Sequence, residues 1–131
     1  MVIPRTSRRL KVFFDGGCRP NPGRIEAAVV VRGVTSYFND LGHGTNSDAE
    51  WQALLCAVQV ARSQDFTDID LVGDAIEVVE QARKALRDGN ADHPKAAAFL
   101  TSAAQISTLR VRWIKRQQNL AGIALAARHP R

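Results

Sequence analysis

The chain has 131 residues, 45% apolar and 24% charged, with a net charge of +5. This length supports one core and excludes two, and the apolar share is too high for a disordered chain. No stretch approaches the ~18 consecutive apolar residues of a membrane span. Arg5, Ser7, Arg8 and Arg9 have no apolar run behind them, so no signal peptide is expected. Cys18 and Cys56 form neither a disulfide framework nor a zinc-type spacing. The expectation is one domain over residues 1–131, with a basic extension at 1–9 and a tail at 127–131. It is expected to be reduced, cytoplasmic and monomeric, with no membrane contact and no obligate protein partner. The charge is unevenly placed: residues 1–92 hold all 13 acids against 11 bases, a net of −2, and residues 93–131 hold seven bases and no acid, a net of +7. That asymmetry suits a polyanion held beside a group of acids, although a basic balance alone is common and idle.

In chain order, residues 11–15 predict a short strand around Val12-Phe13-Phe14. The breaker string Gly16-Gly17-Cys18-Arg19-Pro20-Asn21-Pro22-Gly23 then predicts a tight turn. Residues 25–32, with Val29-Val30-Val31, are too β-branched for a comfortable helix and predict a second strand. Gly33 marks the turn into a third strand over 35–41, carrying Tyr37 and Phe38, and the three strands predict an antiparallel meander. The period then changes. Trp51, Leu54, Leu55, Val58 and Ala61 follow helical spacing and predict an amphipathic helix over 48–63. Residues 69–72 predict a short strand closed by Gly73-Asp74. Ile76, Val79, Ala82, Lys84 and Leu86 lie on a second helix that Asp88-Gly89-Asn90 terminates. His93-Pro94 opens an alanine-rich helix over 95–106. Leu109, Val111 and Trp113 alternate with Arg110, Arg112 and Ile114 as a fifth strand with one mostly basic face, and Asn119 caps a last helix over 119–127. The order βββαβααβα predicts an α/β fold, a five-stranded mixed sheet with helices packed on it rather than a doubly wound one.

Three carboxylates stand at element ends: Asp15 after the first strand, Glu50 in the first turn of the first helix, and Asp74 after the fourth strand. Strand ends that neighbour one another, beside a helix start, bring such residues together. Clustered carboxylates stay ionised only if a cation shares the site. Mg²⁺ takes oxygen ligands of this kind, usually one or two carboxylates with water and substrate phosphate. Each acid also has an ordinary structural reading. Asp15-Gly16 starts a turn well, Ser47-Asp48-Ala49-Glu50 fits a capping box that would tie up Glu50, and Asp74 could cap the next helix.

The surrounding motifs favour the cation. Phe14-Asp15-Gly16-Gly17-Cys18-Arg19-Pro20-Asn21-Pro22-Gly23, then Gly44-Thr45-Asn46-Ser47-Asp48-Ala49-Glu50, then Leu71-Val72-Gly73-Asp74 resemble the motifs of the type 1 ribonuclease H family. They occur in the same order and at similar separations. The resemblance spans residues 10–126 and implies a ribonuclease H-like fold. It also implies hydrolysis of the RNA strand of an RNA–DNA hybrid, giving 5′-phosphate and 3′-hydroxyl ends. Asp15, Glu50 and Asp74 would be catalytic and would hold two Mg²⁺ or Mn²⁺ ions. Substrate contacts carry over to Gly16, Cys18, Asn21, Asn46, Lys115, Arg116 and Asn119. Asn side chains both donate and accept, which suits the 2′-hydroxyl that separates RNA from DNA, although Asn21 and Asn46 are also ordinary turn residues.

The sequence departs from the family at three places. The family's fourth carboxylate falls on Ile123 in Asn119-Leu120-Ala121-Gly122-Ile123-Ala124-Leu125-Ala126, and no acid follows Asp92. Either three carboxylates suffice with water and substrate, or a neutral oxygen such as that of Asn119 substitutes, or turnover is impaired. The glycine-rich loop with a histidine is replaced by Lys115-Arg116-Gln117-Gln118-Asn119. His129 lies near the C-terminus and could visit the site, although an exposed tail histidine is usually idle, and His43 and His93 read as loop and helix-start residues. The lysine-rich handle is also missing, so duplex affinity would fall to Arg8, Arg9, Arg19 and the C-terminal bases. Arg110 and Arg112 read equally well as a solvated strand face. Two rivals follow: a weak or inactive hybrid-binding module, favoured by Ile123, and a junction-resolving nuclease of the same broad fold, which the Gly16-to-Gly23 motif and Asn46 disfavour.

Overall fold

The computed structural model describes residues 6–129. Along them the elements are β1 (Thr6–Cys18), β2 (Gly23–Val31), β3 (Val34–Phe38), β4 (His43–Gly44), α1 (Asn46–Arg62), β5 (Phe66–Gly73), α2 (Ile76–Asp88), α3 (Pro94–Ala103), β6 (Thr108–Trp113), a 3₁₀ turn at Arg116–Gln118, and α4 (Leu120–Ala127). The sheet order is β3-β2-β1-β5-β6, with the two-residue β4 paired to the start of β2. β1 through β3 form the expected antiparallel meander, and β5 and β6 add to it in parallel. The sheet is therefore mixed, as the element order requires.

Valines and other apolar residues decide the layers. Val12, Phe14, Val29, Ile69, Leu71 and Val111 face one side and bury against Trp51, Leu54, Val58, Val79 and Phe99 of α1, α2 and α3. The opposite side carries a smaller cluster, Ala28 and Val30 of β2 under Ala121 and Leu125 of α4. Trp51 and Phe99 are fully buried side chains, each contributing ~1.5–3 kcal/mol or more of transfer free energy. No helix among the described residues is long and apolar enough to cross a membrane.

Several boundaries move from their expected places. The expected turn at Gly16 is instead the continuation of β1, whose ladder runs on through Gly16↔Ala27, Gly17↔Glu26 and Cys18↔Ile25. Gly16 is there for proximity: a Cβ on it would stand 2.1 Å from the Ala49 carbonyl oxygen of α1. β1 also begins at Thr6, so residues 6–9 are strand rather than extension, and α4 keeps residue 127. Arg5, Arg131 and the Arg8 side chain lie outside the described residues. β2 turns into β3 at Arg32-Gly33, both at positive φ (53° and 80°), as a two-residue hairpin turn requires. β3 stops at Phe38 rather than residue 41, since Asp40 and Gly42 also take positive φ (59° and 91°) and break the ladder.

Candidate active site

The N-terminus of α1 sets the position of Glu50. The expected capping box at Ser47 and Glu50 is two residues out of place. Thr45 is the cap, its Oγ1 accepting from the Asp48 amide at 3.2 Å while Asp48 Oδ2 accepts from the Thr45 amide at 2.9 Å. Those bonds hold the Asp48 carboxyl below its usual range and release Glu50 from capping. α1 packs against β1 where Gly16 has no side chain, and Glu50 Oε1 accepts from the Gly16 amide at 3.1 Å. Asp15 lies buried on the same central strand. Asp74 follows β5, next to β1 in the sheet. It does not cap α2, whose N-cap is Ala75 with no side-chain bond. Asp15 is likewise mid-strand, not a turn starter. The structure thus removes the ordinary structural role expected for each of the three acids, and all three line one cleft of about 540 Å³.

The cleft is electrostatically unfavourable as it stands. Burial, then the charge of Asp15, pushes the Glu50 carboxyl up to about 9; burial, then the charge of Asp74, pushes Asp15 up to about 6. Among the described residues, Glu50 Oε2 is buried with no hydrogen-bond partner. On the α4 side, a Cβ on Gly122 would stand 3.5 Å from Asp74 Oδ2 and 3.6 Å from Asp15 Oδ2, so the glycine keeps space beside both carboxylates. Among the described residues, no three His, Cys, Asp or Glu side chains are arranged as a ready-made metal cage. An orphaned carboxylate oxygen and free space beside two more acids suit an ion that brings water and phosphate oxygens with it.

Asn119 ties this corner together. Fully buried, it donates from Nδ2 to the Phe14 carbonyl at 3.0 Å and to Asp74 Oδ2 at 2.8 Å, while its Oδ1 accepts from the Ala121 amide at 3.1 Å. It caps α4 as expected. Because its oxygen is used in that cap, it turns an N–H rather than an oxygen toward Asp74, which argues against Asn119 as the substitute fourth ligand. Arg116 stands 3.7 Å from Asp74 Oδ1 at the rim, whereas Lys115 is exposed and off the cleft wall. Ile123 is 52% exposed and also off that wall.

A second cluster gathers the other residues singled out above. Asn46 Oδ1 accepts from the Cys18 amide and thiol, both at 3.3 Å. Asn21 Oδ1 accepts from the Asn46 amide at 3.1 Å and, at 3.6 Å, from the Cys18 thiol. On the cleft wall Glu26 was missed in the sequence, and His129, weighed there as a tail residue able to visit the site but more often idle, is present. Glu26 of β2 and His129 bind each other, with Nε2 at 2.7 and 2.8 Å from the two carboxylate oxygens. His129 is therefore engaged rather than idle. No local pattern marked Glu26, which shares its strand with another charge, Arg24. His43 is a residue of the short strand β4. His93 does open a helix: its Nδ1 accepts from the Lys95 amide, and its ring stacks on Trp51 at 5.4 Å.

The reverse transcriptase-like family model matches residues 13–129. A ribonuclease HI of Halobacterium salinarum is 35% identical over 95 residues, a match spanning 69% of this chain and 47% of that protein's length. The crystal structure of RNase H1 from Halobacterium salinarum superposes with a TM-score of 0.68 at 25% identity, covering 90% of this chain and 94% of the other. The N-terminal RNase H domain of a Mycobacterium tuberculosis protein gives 0.67 at 24% identity, covering 93% and 99%. LC11-RNase H1, solved in complex with an RNA/DNA hybrid, gives 0.70 at 22% identity, covering 88% and 92%. These last two are similarities of fold.

Proposed function

The chain belongs to the type 1 ribonuclease H family, and on that premise we propose that it hydrolyses the RNA strand of RNA–DNA hybrids with divalent cations. The observation that carries this reading is the cleft where Asp15, Glu50 and Asp74 meet, with a buried Glu50 oxygen unpartnered among the described residues and none of the three acids serving as the cap or turn starter the sequence offered. Asp15, Glu50 and Asp74 would hold two ions, Mg²⁺ or Mn²⁺. When bound, these supply a stronger water nucleophile and stabilise the leaving oxygen, so that the products carry 5′-phosphate and 3′-hydroxyl ends. The chain's own contribution is positioning. The Gly16 amide fixes one oxygen of Glu50, Asn119 fixes one oxygen of Asp74, and Gly122 keeps the third side of the cleft open.

Selection for RNA falls to the Cys18, Asn21 and Asn46 cluster. Both Asn oxygens are used internally, and neither Nδ2 group has a partner among the described residues. Two amide groups are thus left to donate to ribose 2′-hydroxyls. Arg116, exposed at the rim, provides a charge for a phosphate. Gly16 contributes through its backbone, and Lys115 lies near enough in sequence to add a further charge.

A second reading, a module that binds hybrids without cutting them, is favoured by one observation: the place of a fourth acid is taken by the exposed Ile123. An end-labelled hybrid incubated with Mg²⁺, Mn²⁺ or EDTA separates the two. The first reading expects cation-dependent cuts in the RNA strand alone, absent from Asp74→Asn. A folded protein that binds the hybrid and leaves both strands intact in either cation would establish the second.

A further inference from the structure

α4 covers only part of its side of the sheet, packing on β1, β2 and β3. On the same side, β5 and β6 carry polar residues in rows set by the strand register. Arg9 lies opposite Asp68, Lys11 opposite Asp70 and Arg110, and Val72 opposite Arg112. Alternation along the strands puts Asp15 and Asp74 on this same side, one row beyond Arg112. At ~3.3 Å per residue the rows therefore lie ~7, ~13 and ~20 Å from the acids.

The middle row holds a carboxylate that the proposed chemistry does not use. Asp70 is fully buried, and guanidinium groups surround it: Arg110 Nε at 2.7 Å from Oδ1, and Arg112 Nη1 at 3.3 Å and Arg9 Nε at 3.6 Å from Oδ2. Arg110 also pairs with Asp68. Two guanidiniums, one on each oxygen, would pair this buried carboxylate, Arg110 on Oδ1 and Arg112 on Oδ2. Here three converge on it, and the Arg9 and Arg112 side chains stay 50% and 54% exposed. Arg9, Arg83, Arg110 and Arg112 line a cleft of about 730 Å³. On this side of the sheet Arg9, Lys11, Arg110 and Arg112 are four cations against Asp68 and Asp70, a surplus of two, while Arg83 of α2 reaches the cleft from the other layer. Asp70 holds the fork-shaped groups in fixed positions, which reduces the ordering cost of binding an anion, and guanidinium forks match phosphate oxygens.

We infer that this arginine-lined half-face is a second nucleic-acid contact, taking the phosphodiester backbone of a hybrid arm that continues past the acid cleft. The inference rests on the reading of that cleft as the cutting site. Charge complementarity and continuity with the acids along one sheet face carry it. A run of ~20 Å corresponds to about six phosphates of one strand at 3.4 Å of rise each.

The test is binding, measured by fluorescence anisotropy in EDTA, of the parent and the Arg9→Gln/Arg112→Gln variant. One hybrid ends at the cleft and a second extends about six base pairs further. Arg110 keeps Oδ1 of Asp70 paired in that variant. On the long hybrid, affinity at low salt falls about tenfold, and the slope of log K against log salt weakens by about 1.8, for two lost phosphate contacts. The short hybrid loses less than about twofold. If the double variant unfolds early, Arg112→Gln alone weakens the slope by about 0.9. Equal losses on both lengths, or an unchanged slope, overturn the inference and leave the arginines as covers for Asp70. A parent that binds long hybrids through these arginines but never cuts sinks the cleft reading instead.

Discussion

Glu50 is a destabilising residue in the cation-free protein, and its sign with pH is fixed by the direction of its shift. Its folded-state value, about 9, lies above the 4.5 of an ordinary Glu, and that of Asp15, about 6, above 3.8. The native state therefore binds more protons than the unfolded state between those values, so stability falls as pH rises through the window. In EDTA, Tm is expected to be highest near the acid end and to decline from about pH 4.5 to about pH 9. Mg²⁺ or Mn²⁺ should remove much of that decline; a flat profile in EDTA would show that the acids are solvated or paired. Ile123 makes the complementary case. Its side chain is 52% exposed, so Ile123→Asp should change stability by no more than about 0.5 kcal/mol. If a fourth acid is what limits turnover, this substitution raises cation-supported cleavage severalfold in the same hybrid assay. No change would place the limit elsewhere.

The elements were legible in proportion to how local their causes are. The helical spacing of Trp51, Leu54, Val58 and Ala61 and the cap at Asn119 are short-range signals, and α1 and α4 follow from them directly. The start of α1 is only two residues off because Thr45–Asp48 and Ser47–Glu50 both fit the same box. What decides between them is tertiary: Glu50 is drawn to the Gly16 amide, which no local pattern shows. The same contact explains why the breaker string at Gly16 is strand. Its glycine serves the approach of α1, where a turn residue would look identical in sequence. Gly16→Ala therefore forces a Cβ into the Ala49 carbonyl and should cost about 1–3 kcal/mol. It should also move Glu50 away from Asp15, so cleavage falls by more than the loss of folded protein explains. Chemical denaturation beside single-turnover rates measures both.

At the scale of the whole molecule, the charge asymmetry of the sequence becomes a spatial arrangement. The acids of the first 92 residues and the bases of the last 39 meet across the sheet. The three motif acids line the cleft with Glu26, while Arg110 and Arg112 are recruited around Asp70. The three motif carboxylates could be identified because motif order survives in sequence, and the fold brings them together through β1, β5 and α1. Glu26 with His129 could not, because a contact between β2 and the residues after α4 leaves no pattern in either segment. The fold thus keeps three mutually repelling acids at one end while satisfying its other buried polar groups, an arrangement explained by a cation. Glu50→Gln tests that trade most directly, with Tm in EDTA and RNA-strand cleavage measured on the same preparation. The account predicts a higher Tm, a smaller rise in Tm on adding Mg²⁺ or Mn²⁺, and loss of cleavage. A lower Tm with cleavage retained would show that Glu50 serves the fold, and would contradict it.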